Sequence, residues 1–353
     1  MDIFYNFQRK PRILITGGAG FIGGAVIRKL LKDSECTIFN LDKMSYASDL
    51  TSINEEILNL GLKNTERYRF INVDLKNPVD TSNAVNFADP DLVMHLAAES
   101  HVDRSIENPK DFIASNIIGT YNLLEASRLH YKSLPYDRKN NFKFHHISTD
   151  EVFGTLGKKG KFNEESQYKP RSPYSASKAS SDHLVNSWHH TYALPTLITN
   201  CCNNYGPWQY PEKLIPKIII NALCESKIPI YGNGKNIRDW LHVEDHANAL
   251  IKVLTNGLIG ERYCIGGNEE KTNNEIAKLI CNYLDNINPK KFSHSSLISY
   301  VEDRKGHDFR YSIESKKIKK MLNWYPIYSF EEGIKDTVKW YLKNKNWYSK
   351  FMK

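Results

Sequence analysis

Two short constellations in the chain have the residue types and spacing to do chemistry. In Pro173-Tyr174-Ser175-Ala176-Ser177-Lys178 the tyrosine and lysine stand four positions apart, so on a helix opening at the proline they share one face. An ammonium held beside a phenol lowers its pKa. Tyrosinate then becomes available near neutral pH as the base for a hydroxyl whose carbon gives up hydride. Upstream, Thr149-Asp150-Glu151 closes the apolar run Phe142–Ser148. Thr149 can hydrogen-bond the reacting hydroxyl. Two adjacent carboxylates exceed what simple dehydrogenation needs. They suit a proton taken from one atom and given to another, with environment deciding which carboxyl is acid and which is base. The candidate catalytic set is Thr149, Asp150, Glu151, Tyr174 and Lys178. Taken alone each signal is weak: Tyr-x-x-x-Lys is common, and two acids after a strand are an ordinary solvated loop cap.

The elements around them strengthen both. Gly17, Gly20 and Gly23 form Gly-x-x-Gly-x-x-Gly between the apolar run Arg12–Thr16 and a helical pattern from Phe21 to Leu31. In that setting glycines permit a tight turn, backbone approach to a pyrophosphate and close helix–strand packing, while the helix N-terminus offers free N–H groups. A second strand-like run, Cys36–Asp42, ends in an acid at about the 20-residue spacing expected of a ribose-binding carboxylate. That carboxylate would repel the extra phosphate of NADP, so it predicts NAD; Lys43 beside it pulls weakly the other way. Further runs at Phe70–Val73, Leu92–Ala97 and Phe142–Ser148 alternate with helix-patterned segments, notably Ile106–Leu129 and Pro173 to about Tyr192. The alternation predicts an α/β fold, a Rossmann-type doubly wound parallel sheet covered on both faces. Loops rich in Gly, Lys, Asn or Pro follow at Gly154–Lys161, Asn203–Pro211 and Gly232–Asn236. The last third mixes helices with short strands, predicting a smaller mixed C-terminal substrate lobe. The expected division is 1–190 for the NAD-binding domain, with later segments returning to the sheet, and 191–353 mainly for substrate.

Composition removes other classes. The chain has 353 residues, 41% apolar, enough for a large core and about two domains. No run reaches the roughly 20 apolar residues of a membrane helix; the best, Leu214–Leu223, is broken by Pro216 and Lys217. Met1–Lys10 is polar and lacks the apolar core of a secretion signal, so a cytoplasmic location is expected. The six cysteines form no Cys-x-x-Cys pair and no zinc spacing; no metal is expected, and the thiols read as buried small hydrophobes. The net charge of +8 is spread among acids. Its densest run, Lys316–Lys320, encloses Ile318 and reads as a solvated helix face rather than a nucleic-acid patch. His145, His146, His189 and His190 are adjacent pairs whose side chains point apart, and read as structural.

Further motifs complete the pattern: His95-Leu96-Ala97-Ala98-Glu99-Ser100-His101-Val102-Asp103-Arg104-Ser105, Ser148–Gly154, Asn203-Asn204-Tyr205-Gly206-Pro207, Glu212-Lys213-Leu214-Ile215-Pro216, Asn236-Ile237-Arg238-Asp239-Trp240 and Asp303-Arg304-Lys305-Gly306-His307-Asp308. On these the chain resembles the extended short-chain dehydrogenase/reductase family from about Arg12 to Tyr341, and within it the nucleotide-sugar 4,6-dehydratases acting on dTDP-hexoses. The resemblance implies a hydro-lyase that keeps one NAD. Gly17, Gly20, Phe21, Ile22, Gly23, Asp42, Lys43, Asp74, Leu75, Leu96, Ala97, Ala98, Ser100, Ser115, Tyr174, Lys178 and Asn204 would hold the cofactor. Ser100, Thr149, Asn203, Lys213, Leu214, Pro229, Tyr231, Arg238, Asn273, Asp303 and His307 would hold the dTDP-hexose, with Lys213 and Arg238 suited to a pyrophosphate. It also implies a homodimer paired through helices matching Ile106–Leu129 and Pro173–Tyr192, with no nucleic-acid or membrane partner. On such a sugar, oxidation at C4 acidifies C5; Glu151 would then remove the C5 proton while Asp150 protonates the departing C6 oxygen.

This sequence departs from the pattern at Phe153 (usually Tyr), Cys202 (usually Ser), Lys305 (usually Pro) and Phe309 (often basic). None of these removes a catalytic group. A UDP-hexose 4,6-dehydratase and a 4-epimerase on the same scaffold are the nearest alternatives, although related 4-epimerases lack the Asp-Glu pair. A catalytically silent NAD-binding regulator is the remote one.

Overall fold

The computed structural model describes residues 4, 7, 9–62 and 67–352, so the polar Met1–Lys10 stretch falls largely outside the described residues. Its strands are β1 Arg12–Thr16, β2 Thr37–Asp42, β3 Tyr68–Asn72, β4 Leu92–His95, β5 Lys143–Thr149, β6 Thr196–Cys201, β7 Asn203–Tyr205, β8 Ile228–Tyr231, β9 Ile237–His242, β10 Arg262–Ile265, β11 Glu270–Thr272 and β12 Ile298–Val301. Seven of them form one sheet in the order β10-β6-β5-β4-β1-β2-β3, and every pair in it is parallel. The apolar runs show no alternation because both faces are covered: Ile13, Leu14 and Ile15 are all fully buried. The winding direction reverses between β1 and β4, and such a switch point opens a crevice beyond the strand C-termini. Register carries Thr16 opposite both Leu41 and His95 and Thr149 opposite Cys201. The glycine turn after Thr16 and the Thr149–Glu151 triplet therefore emerge at one edge of the sheet.

Helices fill the two faces. On one, Phe21–Asp33 packs against Val243–Asn256 through Val26, Ile27, Leu30, Leu250 and Leu254. On the other, Pro78–Ala88, Gly119–Ser133 and Pro173–Tyr192 bring in Val85, Leu123, Leu124 and Val185. Burying each such side chain stabilises the fold by roughly 1.5–3 kcal/mol. The later part of the chain builds two small sheets, β11-β9-β7 and β12-β8. Beside them the helices Leu214–Leu223, Asn273–Ile287 and Phe330–Lys343 share a core of Ile218, Ile219, Ile276, Ile280, Ile334 and Val338. Thr272 and Glu275 close a capping box that satisfies the first N–H groups of the middle helix. In Lys316–Leu322, Ile318 and Leu322 are buried and the lysines face outward.

Several sequence expectations need correction. The segment Ile106–Leu129 is not one helix. Val102–Glu107 ends before Pro109, which starts Pro109–Phe112; a π-type stretch Ile113–Ile118 follows, then Gly119–Ser133. Proline cannot continue a helix from behind but suits a first position. The expected loop at Asn203–Pro211 begins with β7, paired to β9, and β4 stops at His95, two residues short of the expected end. Cys224 is exposed, whereas the other five cysteines are buried. Among the described residues no helix is long and apolar enough to cross a membrane, and no group of three or more His, Cys, Asp or Glu could hold a metal ion.

Candidate active site

One large cleft opens along the C-terminal edge of β1, β2, β4, β5 and β6. Its lining includes Gly17, Gly20, Phe21, Ile22, Gly23, Asp42, Lys43, Asp74, Leu75, Leu96, Ala97, Ala98, Ser100, Ser115, Tyr174, Lys178 and Asn204, so every residue assigned to the cofactor comes together there. The glycine turn is tightly built. Gly17 has φ +74°, and a Cβ there would lie 2.6 Å from Ala97 N; a Cβ on Gly23 would overlap the Gly17 carbonyl. Gly20 precedes the helix with no side-chain cap, leaving the first N–H groups turned to the cleft. Asp42 braces this turn: its carboxylate accepts from Ala19 N at 3.1 Å, Met44 N at 2.9 Å and Ser48 Oγ at 3.0 Å. Lys43, which argued against NAD, is occupied by Glu99 at 2.6 Å and by Ser115 Oγ at 3.2 Å. A backbone cradle, free helix N–H groups and an acid whose neighbouring lysine is already neutralised fit a dinucleotide without a 2′-phosphate.

The catalytic candidates also gather here. Thr149, Asp150 and Glu151 line the cleft with Tyr174 and Lys178. The helix Pro173–Tyr192 is pinned at its start by Pro173 at the first position and by a Ser172–Ser175 capping box. Its Ser177 accepts from Asn116 Nδ2 at 2.8 Å, where the π-type stretch bulges toward the site. Lys178 Nζ donates to Ile147 O at 2.9 Å. Burial pulls the ammonium down to about 8, with the Asp182 carboxylate opposing. The phenol departs from expectation. Burial and then the Glu151 charge push the Tyr174 pKa up, while a hydrogen bond from the Thr149 hydroxyl lowers it. In the protein alone Lys178 does not overcome burial, and protonation of Glu151 would relieve the opposition.

Environment separates the two carboxyls. Asp150 is 1% exposed, and burial followed by the neighbouring Glu151 charge raises its pKa well above the carboxylate range. Burial also raises Glu151, but Arg304, Arg238 and Lys213 oppose it. Asp150 is thus the better proton carrier and Glu151 the easier group to ionise, as acid and base require. The Asp150 Oδ2 atom has no hydrogen-bond partner among the described residues, so it is free to meet a ligand.

Of the residues assigned to the sugar nucleotide, Ser100, Thr149, Asn203 and Lys213 line the cleft, and Lys213 Nζ donates to Ser100 O at 3.2 Å. The structure does not bring Leu214, Pro229, Tyr231, Arg238, Asn273, Asp303 or His307 into that lining. Some of them form a flanking polar cluster instead. Tyr231 OH donates to Asp103 at 3.2 Å, Arg304 lies 3.6 Å from Asp103, and His307 Nδ1 is 2.6 Å from Asp303. Arg238 stacks 4.4 Å over Tyr311 and donates to Asp308 O at 3.0 Å. Asn273 opens its helix with its N–H on Asn236 O at 3.2 Å.

Sequence reasoning missed other cleft residues: Tyr46, Asp49, Glu212, His246 and Trp347. Tyr46 OH donates to Glu212 at 2.7 Å beneath Arg104, whose guanidinium sits 3.4 Å over the ring. Trp347 Nε1 donates to Asp49. These pairs are far apart in sequence and carry no local spacing signal.

A family model described as GDP-mannose 4,6 dehydratase matches residues 14–337. A dTDP-glucose 4,6-dehydratase of Escherichia coli is 51% identical, covering 97% of this chain and 96% of its own. The chain belongs to the dTDP-glucose 4,6-dehydratase family. Among solved dTDP-glucose 4,6-dehydratases, the Streptomyces venezuelae protein with NAD and TYD bound superposes with a TM-score of 0.86 at 37% identity, covering 96% of this chain and 99% of that one. The Bacillus anthracis dTDP-glucose 4,6-dehydratase in complex with NAD gives 0.83 at 40% identity, with the same coverage. Within this family, Phe153 is packed in the core, its ring 5.6 Å from that of Tyr168, so its missing hydroxyl lies away from the reacting groups. Cys202 lines the cleft, where its thiol donates to Asn203 O at 3.8 Å. Phe309 is exposed.

Proposed function

We propose that this chain is an NAD-dependent hydro-lyase that converts dTDP-glucose to dTDP-4-keto-6-deoxy-glucose. The observation that carries this reading is the pair Asp150 and Glu151, split into acid and base by their surroundings and facing the same cleft as Tyr174. Bound NAD supplies the oxidant for C4 and the reductant for C6. The chain's own residues move the protons. Tyr174 Oη takes the C4 hydroxyl proton, Glu151 removes the proton of C5 once C4 is a ketone, and Asp150 protonates the C6 oxygen so that it leaves as water. Glu151, its proton exchanged with solvent in the meantime, then reprotonates C5. The glycine turn and Asp42 hold the dinucleotide; Ser100, Asn203 and Lys213 hold the sugar nucleotide, with Leu214, Pro229, Tyr231, Arg238, Asn273, Asp303 and His307 at its outer end. Lys213, Arg238 and Arg304 give that end the positive charge an anionic ligand needs.

The test is incubation with dTDP-glucose and, separately, UDP-glucose in deuterated water. The 4-keto product is followed by alkaline absorbance and C5 deuterium by mass spectrometry. dTDP-glucose should give a 6-deoxy-4-keto sugar labelled at C5. Unchanged sugar, or product from UDP-glucose alone, would refute the assignment.

A pH dependence follows from Lys178. Its ammonium, pulled down to about 8, is present below that value and is lost as pH rises through it. The profile of kcat/KM should therefore fall on its alkaline side near pH 8, and Lys178→Met should flatten that limb while lowering the plateau about 10²-fold.

The functional unit is a homodimer working in the cytoplasm. Exposed Ile113, Ile118, Tyr121 and Leu129 lie along one run of helical turns and favour burial against a second copy; free thiols at Cys201, Cys202, Cys224, Cys264 and Cys281 suit a reducing compartment. Within each copy, 1–190 serves mainly NAD and 191–353 mainly the sugar nucleotide, with β6 and β10 returning to the first sheet.

A further inference from the structure

One buried carboxyl has no proton to move in the reaction. Asp182 is fully buried and stands behind the cleft rather than in its lining. Taking such a group out of water costs stability unless its oxygens are well partnered, and these are. Oδ2 accepts from Tyr168 OH at 2.9 Å and from Asn200 Nδ2 at 3.0 Å, and Oδ1 lies 3.2 Å from His146 Nε2.

Asn200 faces two ways. Fully buried on β6, it also donates from the same Nδ2 atom to Thr149 O at 3.0 Å. A primary amide nitrogen has two N–H bonds; one meets the carbonyl, the other the carboxylate, and two acceptors on that side fix which way the amide is turned. The two ends of this bridge are the two halves of the chemistry. Thr149 is the last residue of β5 and caps the turn Asp150–Phe153, its hydroxyl accepting from Glu151 N at 3.2 Å. Asp182 lies four residues beyond Lys178 and eight beyond Tyr174 on the helix Pro173–Tyr192, and that spacing keeps all three on one side of it. Lys178 ties the helix to the carbonyl of Ile147; Asn200 ties it to the carbonyl from which the acid–base turn hangs. We propose that Asn200 and Asp182 are positioning residues, one planar amide setting the distance between the turn that bears Asp150 and Glu151 and the helix that bears Tyr174 and Lys178.

The reaction needs such a gauge because it passes along neighbouring atoms of one sugar. Tyr174 serves C4, Glu151 serves C5 and Asp150 the oxygen on C6, so the ketone made by one set must already lie within reach of the other. A misplacement of about 1 Å can cost about 10²-fold. This inference rests on the roles proposed above for those residues.

The test follows dTDP-glucose turnover in deuterated water with the holoenzyme and with Asn200→Leu, Asn200→Ala and Asp182→Asn. Wild-type product labelled at C5 establishes the parent reading before any variant is compared. Leucine fills the space of asparagine without a donor, and alanine stands in should the leucine protein fail to fold. In these variants the helix and the cofactor still oxidise C4, but the turn is no longer held to them. Turnover should fall about 10–10²-fold, with KM and the NAD retained per chain within about twofold of wild type, and reduced cofactor should build up on the enzyme during turnover. A carboxamide at position 182 can still turn its oxygen to Asn200 and Tyr168. Asp182→Asn should therefore build up no more reduced cofactor than wild type, whatever its overall rate. Three results would each overturn the proposal: Asn200 variants within about threefold of wild type, Asn200 variants that slow with no build-up of reduced cofactor, or Asp182→Asn building it up as they do.

Discussion

Tyr174→Phe should lower turnover of dTDP-glucose by about 10²–10⁴-fold, the usual contribution of a general base, while the amount of NAD retained per chain stays unchanged. The phenol lies in the cleft beside Thr149, and its ring packs edge-on against Phe112 at 6.3 Å. Removing the oxygen keeps that packing and deletes only the group that receives the C4 proton. Steady-state formation of the 4-keto sugar gives the rate, and nucleotide released on denaturation gives the cofactor content. Turnover within about threefold of wild type would remove Tyr174 from the chemistry, since a lost general base costs more.

Glu151→Gln should be comparably severe, about 10²–10⁴-fold, but for a later reason. The variant keeps Tyr174, Thr149 and Asp150, so C4 can still be oxidised; the C5 proton then has no acceptor. Reduced cofactor should accumulate on addition of substrate, visible by its absorbance, and C5 should take up no deuterium. Asp150→Asn should differ by retaining C5 exchange while failing to release water. The contrast follows from the site's charges. Burial raises both carboxyls, but Arg304, Arg238 and Lys213 favour the ionised form of Glu151, whereas burial and then the Glu151 charge favour the neutral form of Asp150. C5 exchange kept in Glu151→Gln and lost in Asp150→Asn would mean that acid and base have been assigned the wrong way round, and equal exchange would mean that the two carboxyls do not divide the roles.

What could be read in advance was whatever the chain encodes locally. Tyr174 and Lys178 share a helical face because helical period alone puts them there, and the helix Pro173–Tyr192 begins where its proline and serines say it should. The glycine turn was legible for the same reason. The parallel, doubly wound character of the sheet followed from the alternation of strands and helices, but the contribution of β10 and the pairing of β7 with β9 are long-range choices that no window of sequence contains. The reading of Ile106–Leu129 as one helical segment followed its apolar period, and that period does not register Pro109, which ends one helix and starts the next. The sign of the Tyr174 shift was missed because spacing gives the distance to Lys178 and not the depth of burial, which here is the larger effect. The unequal fates of Asp150 and Glu151 depend on cations brought from residues 213, 238 and 304, none of them near in sequence.

The hydrogen bond from Trp347 to Asp49 joins positions 298 residues apart across the wall of the dinucleotide cleft. A growing polypeptide folds from its N-terminal side at about 5–20 residues per second, so the glycine turn and β1–β5 exist long before that wall can close. Competence to retain the cofactor is consequently a late event in the making of each molecule. A ribosome stalled before Trp347 would display an ordered sheet with an open, leaky berth for NAD.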